Sequence, residues 1–363
     1  KVIISKNEKR CDLFDERYDD LFMFTWNDYM KMKQNREKNF CTEEEKAIIH
    51  NIKKKTEIAN VDNISRTQSY QEYYLRNSEI RWAFLASMVS RNAGWNMTDL
   101  EGRYYATVLP RTVKKHLFIL YEQANWIIFL DAFPQLLLYE ESKKRRAPLF
   151  HLLQYFNVSI FMEKEWLLFW ERRDMNRLMT ALIINEQNKI QKPVIENTYF
   201  KKHVFHTALF KVQERLHISA VIFPTIEGRM YGFSVYQFET LQQRIELGKK
   251  LAWLLFHPIY NGSFYKFALQ TTHTGSREDY EVYAKETRKS YTPTLREIYP
   301  VILHEEIKMR DWFCANMKMN VLFVPEEPKG EVNITEWYRR KREQIYRLSI
   351  ANRFAKRMDE FMI

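Results

Sequence analysis

The chain has 363 residues, 45% hydrophobic and 15% aromatic, enough apolar matter for a large core, which excludes wholesale disorder. Its 8 Gly and 10 Pro fall well below the usual shares of about 7% and about 5%, which argues against a turn-dense β sandwich or barrel. Lys plus Arg total 57 against 46 for Asp plus Glu, a net charge of +11 that favours an anionic partner: nucleic acid, an acidic lipid surface or a phosphorylated ligand.

Residues 10–38 place Phe14, Tyr18, Phe22, Trp26 and Tyr29 at steps of three and four, the spacing of one helical face. Thr42 with Glu45 is a capping-box pattern that opens a second helix. Residues 1–60 thus read as a helical arm. Beyond Asn60, Ser65 is placed to cap a helix holding Tyr70, Tyr73 and Tyr74. A helix over 78–92 carries Ile80, Phe84 and Met88, with Gly94 as its C-cap. Thr98 with Glu101 forms a second capping box, predicting a helix that ends by Pro110.

Further helices are expected at 111–131, 134–142, 148–156 and 160–190, with Pro134 and Pro193 read as breakers. A helix carrying His203 and His206 comes next. β-Branched residues at 217–223 and the segment 229–235, joined by a turn at Glu227-Gly228, predict one short hairpin. Phe238, Leu241, Ile245, Gly248, Ala252 and Leu255 form a helical stripe, in which Gly248 suggests close approach of another helix. Residues 257–293 are the least periodic. Helical pattern returns from Leu295 to Met319 and holds Cys314 as a small buried residue. Pro325, Pro328 and Gly330 mark a linker before a basic helix over 335–361. The expected fold is all-α, a large irregular helical bundle with at most one short β-hairpin. Its main domain spans 61–328, between the arm at 1–60 and the basic helix at 329–363.

Cys11, Cys41 and Cys314 are far apart and odd in number, which fits neither a disulfide framework nor a thiolate zinc site. They point to a reducing cytoplasm, with a peripheral membrane location as the variant. The stretch 117–139 contains Glu122, Asp131 and Pro134 and reads as two buried helices, not as a membrane span. The chain starts at Lys1 without Met, so its first residue says nothing about a leader.

No phosphate-binding loop, dinucleotide fingerprint, nucleophile elbow or zinc-protease motif is present, and no cofactor is expected. Four groups of residues carry chemistry. Arg91, Asn96 and Asp99 surround Trp95 between two expected helices, with Asp99 the candidate partner for a buried Arg91. His273, Ser276 and Arg277 lie in a Gly275-containing loop suited to an anion, with His273 as the candidate acid or base. The alternative there is a helix cap by Ser276 and Asp279. Asn185, on the apolar stripe of its helix, and the adjacent Glu186 are candidates for a core polar network or a ligand contact. His203, His206, Glu214 and His217 are the metal candidates, Glu214 and His217 having the spacing of helical carboxylate-histidine sites. The two pairs lie 11 residues apart, roughly 16 Å along one helix, too far to share an ion.

The segments Trp82–Asp99 and Asn185–Ile195 resemble the YppC-like proteins of Bacillus-type bacteria, a family of unknown function. The likeness covers most of the chain from about residue 60. It implies a bacterial, cytosolic protein and carries over no catalytic residue.

The leading functional expectation is a non-catalytic binding protein for an anionic partner, nucleic acid ahead of acidic membrane. It would be contacted by the basic runs Lys143, Lys144, Arg145, Arg146 and Arg339, Arg340, Lys341, Arg342. The second is an enzyme or sensor for a phosphate-bearing small ligand, which requires the 91–99 and 273–279 segments to meet at one cavity. The third is a helical carboxylate-histidine metal protein.

Overall fold

A computed structural model describes residues 26–38, 41–207, 210, 219–284, 290–305, 310–314 and 317–361. The architecture is mainly α, with one two-stranded antiparallel hairpin. Phe14, Tyr18, Phe22 and Cys11 lie outside the described residues.

The helices begin with α1 (Trp26–Lys38) and α2 (Glu43–Ala59), the latter opened by the predicted Thr42–Glu45 capping box. Ile48, Ile49 and Ile52 of α2 are buried in the main core, so the arm packs onto the body. Next come α3 (Asn63–Arg76) and α4 (Arg81–Asp99), which pack closely together. Asp62, not Ser65, caps α3, its carboxylate accepting from Ser65 N at 2.7 Å. Helix α4 runs through Gly94, which is therefore not a C-cap. A Cβ there would sit 2.4 Å from Asn63 Oδ1 and 2.9 Å from the His273 ring, so glycine lets both side chains reach the helix backbone. Thr98 and Glu101 open no helix. Thr98 Oγ1 donates to Gly275 O at 2.7 Å instead, and the chain passes through a turn into the short α5 (Tyr105–Val108).

The long α6 (Arg111–Arg145) replaces two expected helices and carries Pro134 within it. Proline removes the helical bond to Leu130 O, but this stretch is buried against other helices. Tertiary packing holds what the local sequence alone would break. The expected 148–156 helix is a 3-10 helix (Phe150–Phe156). The expected 160–190 helix is two, α7 (Ile160–Arg172) and α8 (Met175–Ile190), parted by a left-handed Arg173 and the N-cap Asp174. Pro193 falls in a π-helical turn, Gln191–Ile195. The segment with His203 and His206 is α9 (Thr198–Phe200) followed by another π turn, Lys201–Phe205.

The hairpin pairs β1 (Ala220–Pro224) with β2 (Met230–Ser234), as predicted. Asn92 of α4 clamps β1: its Nδ2 donates to Ile222 O and its Oδ1 accepts from Ile222 N, each at 2.8 Å. Against β2, Gly232 N donates to Val332 O at 3.1 Å and Ile334 N to Met230 O at 2.9 Å. Helix α10 (Leu241–Phe256) comes after the hairpin, and a Cβ on its Gly248 would lie 2.6 Å from Ile183 Cγ2 of α8, the close approach expected.

The least periodic stretch still holds α11 (Asn261–Gln270) and the short α12 (Glu278–Glu281). The expected 295–319 helix shrinks to α13 (Leu295–Ile298), which Pro300 stops, and Cys314 is exposed and not helical. After α14 (Asn320–Phe323), the basic α15 (Thr335–Phe361) closes the chain, as predicted.

Helix α8 lies at the centre, packed on α4, α6, α7 and α10. Its core includes a polar hub. Asp131 accepts from Asn185 Nδ2 at 2.5 Å and Gln135 Nε2 at 2.8 Å, and pairs with Lys189 Nζ at 2.9 Å. Asn185 Oδ1 accepts from Ser159 Oγ at 3.1 Å and Trp312 Nε1 at 2.9 Å. Asn185 is thus a core strut, bonded as burial requires.

Candidate functional site

The 91–99 and 273–279 segments do meet. Trp95 Nε1 donates to Asp279 Oδ2 at 3.0 Å, and Arg277 Nε donates to Asp99 Oδ2 at 2.5 Å. Arg277 also gives Nη2 to Asn96 Oδ1 at 3.1 Å and Nη1 to Tyr280 Oη at 2.6 Å. Its planar fork thereby ties the end of α4 to α12. Helix α15 joins them: Tyr280 and Tyr338 hydroxyls lie 2.6 Å apart, and Arg342 pairs with the buried Glu281.

Between these elements is a cavity of about 90 Å³, large enough for a few waters or one small oxyanion. Asn96, Asp99 and Arg277 line it from the predicted segments. Tyr104, Tyr105 and Tyr121 form an aromatic side, and Trp337, Tyr338, Lys341 and Arg342 come from α15. Lys341 Nζ sits 5.8 Å from the Trp337 ring centroid. Three cations, Arg277, Lys341 and Arg342, line the cavity together with Asp99, and Arg342 pairs with Glu281. Despite burial, Asp99 holds the Arg277 guanidinium well above its ordinary value. Burial drives the Tyr105 hydroxyl up, and the Tyr121 hydroxyl to about 12, so both remain neutral donors at physiological pH.

Other predicted residues stand behind this cavity, not on it. His273 is buried, with Nδ1 3.2 Å from Asp279 Oδ2 and Nε2 2.9 Å from Asn63 Oδ1. Both ring nitrogens are occupied, so the ring acts as a strut. Burial lowers its pKa, against the upward pull of Asp279. Ser276 Oγ donates to Thr292 O at 2.7 Å and accepts from Glu278 N at 3.1 Å at the start of α12, while Asp279 turns back on Thr274, so Ser276 caps without forming a capping box with Asp279. Gly275 approaches Leu295, whose Cβ would lie 2.8 Å from an added methyl. Arg91 does not pair with Asp99. Eight residues of helix separate them, about 12 Å, and Arg91 instead donates to Thr271 O at 3.0 Å and Gln71 Oε1 at 2.9 Å.

Glu186 lines a second cavity, of about 150 Å³, among apolar side chains that include Leu85, Val89, Ile128 and Leu251. It accepts from Trp82 Nε1 and Gln187 Nε2, each at 3.1 Å. Burial pushes its carboxyl up to about 7. A carboxyl raised above its unfolded value favours folding fully below about 4.5, and that advantage is lost as pH rises through 7. Glu186→Gln is therefore expected to raise unfolding free energy at pH 8 by about 3 kcal/mol, falling below about 1 kcal/mol at pH 5. Urea denaturation at the two pH values measures this, and an equal effect at both would contradict it.

Among the described residues, no group of three or more His, Cys, Asp or Glu is placed to hold a metal ion. His203 packs on His116, with ring centroids 4.7 Å apart, and on Tyr199. The backbone N–H of His206 closes the π turn on Lys201 O at 2.9 Å. Glu214 and His217 lie outside the described residues.

Sequence reading missed Glu281 and the tyrosines of the first cavity. Trp337 with Lys341, and Tyr338 with Arg342, stand at i,i+4 on α15, a spacing that places each aromatic beside a cation. Tyr104 and Tyr105, at the start of α5, have no cation at that spacing and gave no such signal.

A family model described as "Protein of unknown function (DUF2515)" matches residues 58–339. The "Uncharacterized protein YppC" of Bacillus subtilis (strain 168) is 46% identical over 311 residues, which cover 85% of this chain and 97% of that protein. No solved structure matches the chain, and among the described residues no helix is long and apolar enough to cross a membrane. The family match takes in both segments that carried the resemblance, the residues that join α4 to α12, and Tyr338 at the start of α15: the chain belongs to the DUF2515 family, whose function is unknown.

Proposed function

We propose that the protein is a non-catalytic binding protein for a small ligand bearing an oxyanion, phosphate above all, seated in the tyrosine-lined cavity beneath α15. The observation that carries this reading is the convergence of Arg277, Lys341 and Arg342 on one cavity of about 90 Å³. Asp99 pairs with Arg277 and Glu281 with Arg342. Neutral tyrosine hydroxyls supply further donors, and charge-assisted hydrogen bonds of this kind are the strong ones. A proton-transfer role for His273 has no support, since both its nitrogens are occupied.

A macromolecular anion draws less support from the same side chains. In the first basic run, Lys143 pairs with Glu79, Lys144 with Glu141, and Arg145 with Glu44 and Glu141. In the second, Arg339 pairs with Glu336 and Arg342 with Glu281. Exposed pairs contribute little to stability, but they do dilute the contiguous positive face that nucleic acid or acidic lipid requires.

Isothermal titration of inorganic phosphate at low salt tests the reading. Binding in the millimolar range or tighter is expected, weakened at least tenfold by Lys341→Met. Tight binding of duplex DNA or acidic vesicles that Lys341→Met leaves intact, and that reversal of the Lys143, Lys144 and Arg145 charges abolishes, would overturn it in favour of the macromolecular partner.

A further inference from the structure

The second cavity poses a different electrostatic problem. Arg244, 4% exposed, lines it. Its guanidinium donates to Gln187 Oε1 at 2.9 Å, Phe238 O at 2.8 Å, Gln187 O at 3.3 Å and Gln191 Oε1 at 2.5 Å. All four acceptors are neutral. Burial brings its pKa down to about 10, so it stays charged at neutral pH. Two other buried arginines have a carboxylate, Arg66 with Glu122 at 2.5 Å and Arg177 with Glu165 at 2.8 Å, whereas Arg91, like Arg244, is held by neutral acceptors. An interior cation without a counter-ion is costly unless something supplies the missing charge.

Two orphan donors lie on the same wall. Tyr70 and Arg66 both line the cavity, and Tyr70 Oη and Arg66 Nε are buried with no hydrogen-bond partner. Such atoms are rare in folded proteins and call for an acceptor. The rest of the wall is largely apolar, and the volume of about 150 Å³ equals that of an engineered apolar cavity that takes up benzene, about 150 Å³.

We propose that this cavity binds a small monocarboxylate with an apolar body about the size of a benzene ring, whose carboxylate supplies the counter-charge that Arg244 lacks and an acceptor for Tyr70. The site is separate from the oxyanion cavity and does not depend on it. Glu186, the one carboxyl lining this cavity among the described residues, takes up a proton readily enough to tolerate a neighbouring anion.

Benzoate is the probe, with benzamide and toluene as neutral analogues of the same size, each titrated into the full chain by calorimetry and followed by thermal melting. Benzoate is expected to bind and raise the melting temperature, with benzamide and toluene at least tenfold weaker. Tyr70→Phe should weaken benzoate about tenfold, and Arg244→Gln should abolish its advantage over toluene. Should Arg244→Gln fail to fold, Val89→Phe, which fills the cavity from α4, keeps the test open: it should exclude benzoate while leaving the circular dichroism spectrum and phosphate binding unchanged. Failure of benzoate to bind, equal binding of toluene, or benzoate binding untouched by Val89→Phe would each overturn the assignment.

Discussion

Arg277→Met is expected to destabilise the fold by about 3–5 kcal/mol, because it strands a carboxylate. Asp99 is 13% exposed and Arg277 14%, so water replaces little of the lost partner. The same change removes the tie from α4 to Tyr280 and Tyr338, and so loosens α15 as well. Burial already pushes Asp99 up, against the pull of Arg277 and Arg342. Without Arg277 it rises further, so the loss should be smaller at pH 5 than at pH 8, as a lower pH favours the protonated Asp99. Asp99→Leu in the Arg277→Met background should recover most of the stability, since an apolar pair of similar volume replaces a buried ion pair at little cost. Urea unfolding of wild type, both single variants and the double variant gives the cycle. A double variant no more stable than Arg277→Met alone would show that the pair is not the cause.

The hub beneath α8 should yield an effect of the same size. Lys189 and Asp131 are each 2% exposed at the side chain. Asp131→Asn leaves the Lys189 ammonium inside with neutral acceptors, among them Asn157 O at 2.6 Å. It also weakens the charge-assisted bonds from Asn185 and Gln135, and Gln135 Oε1 in turn holds Trp166 Nε1 at 2.9 Å. A loss of about 3–5 kcal/mol is expected, with no change in phosphate or benzoate binding by whatever protein remains folded. Adding Lys189→Met should restore part of it. A loss below about 1 kcal/mol would show that water reaches the pair.

Much of the fold is legible in the sequence wherever periodicity governs. The helix with Tyr70, the hairpin turn at Gly228, the Gly248 contact with Ile183 and the C-terminal basic helix all arise from local pattern. The errors lie where tertiary structure overrides that pattern. Pro134 sits inside a helix because neighbouring helices hold both sides. Gly94 looks like a terminus because glycine ends helices often, yet here it admits Asn63 and His273. For the site, the density of polar residues at 91–99 and 273–279 locates the junction but not the pairing within it. Arg277, rather than Arg91, takes Asp99, because partner choice depends on which loop folds back across the helix end. His273 stands behind the first cavity with both ring nitrogens bonded, a placement that no spacing in one sequence reveals.

The clamp of Asn92 on Ile222, together with the bonds from 332–334 to β2, has a consequence for colloidal behaviour. A lone two-stranded ribbon ordinarily exposes two open rims, each a template on which another chain can zip up into fibrous aggregate. Here a helix side chain occupies one rim and the approach to the C-terminal helix the other, so the one piece of β structure described in this helical protein is capped against self-association from the moment α4 and residues 332–334 have docked.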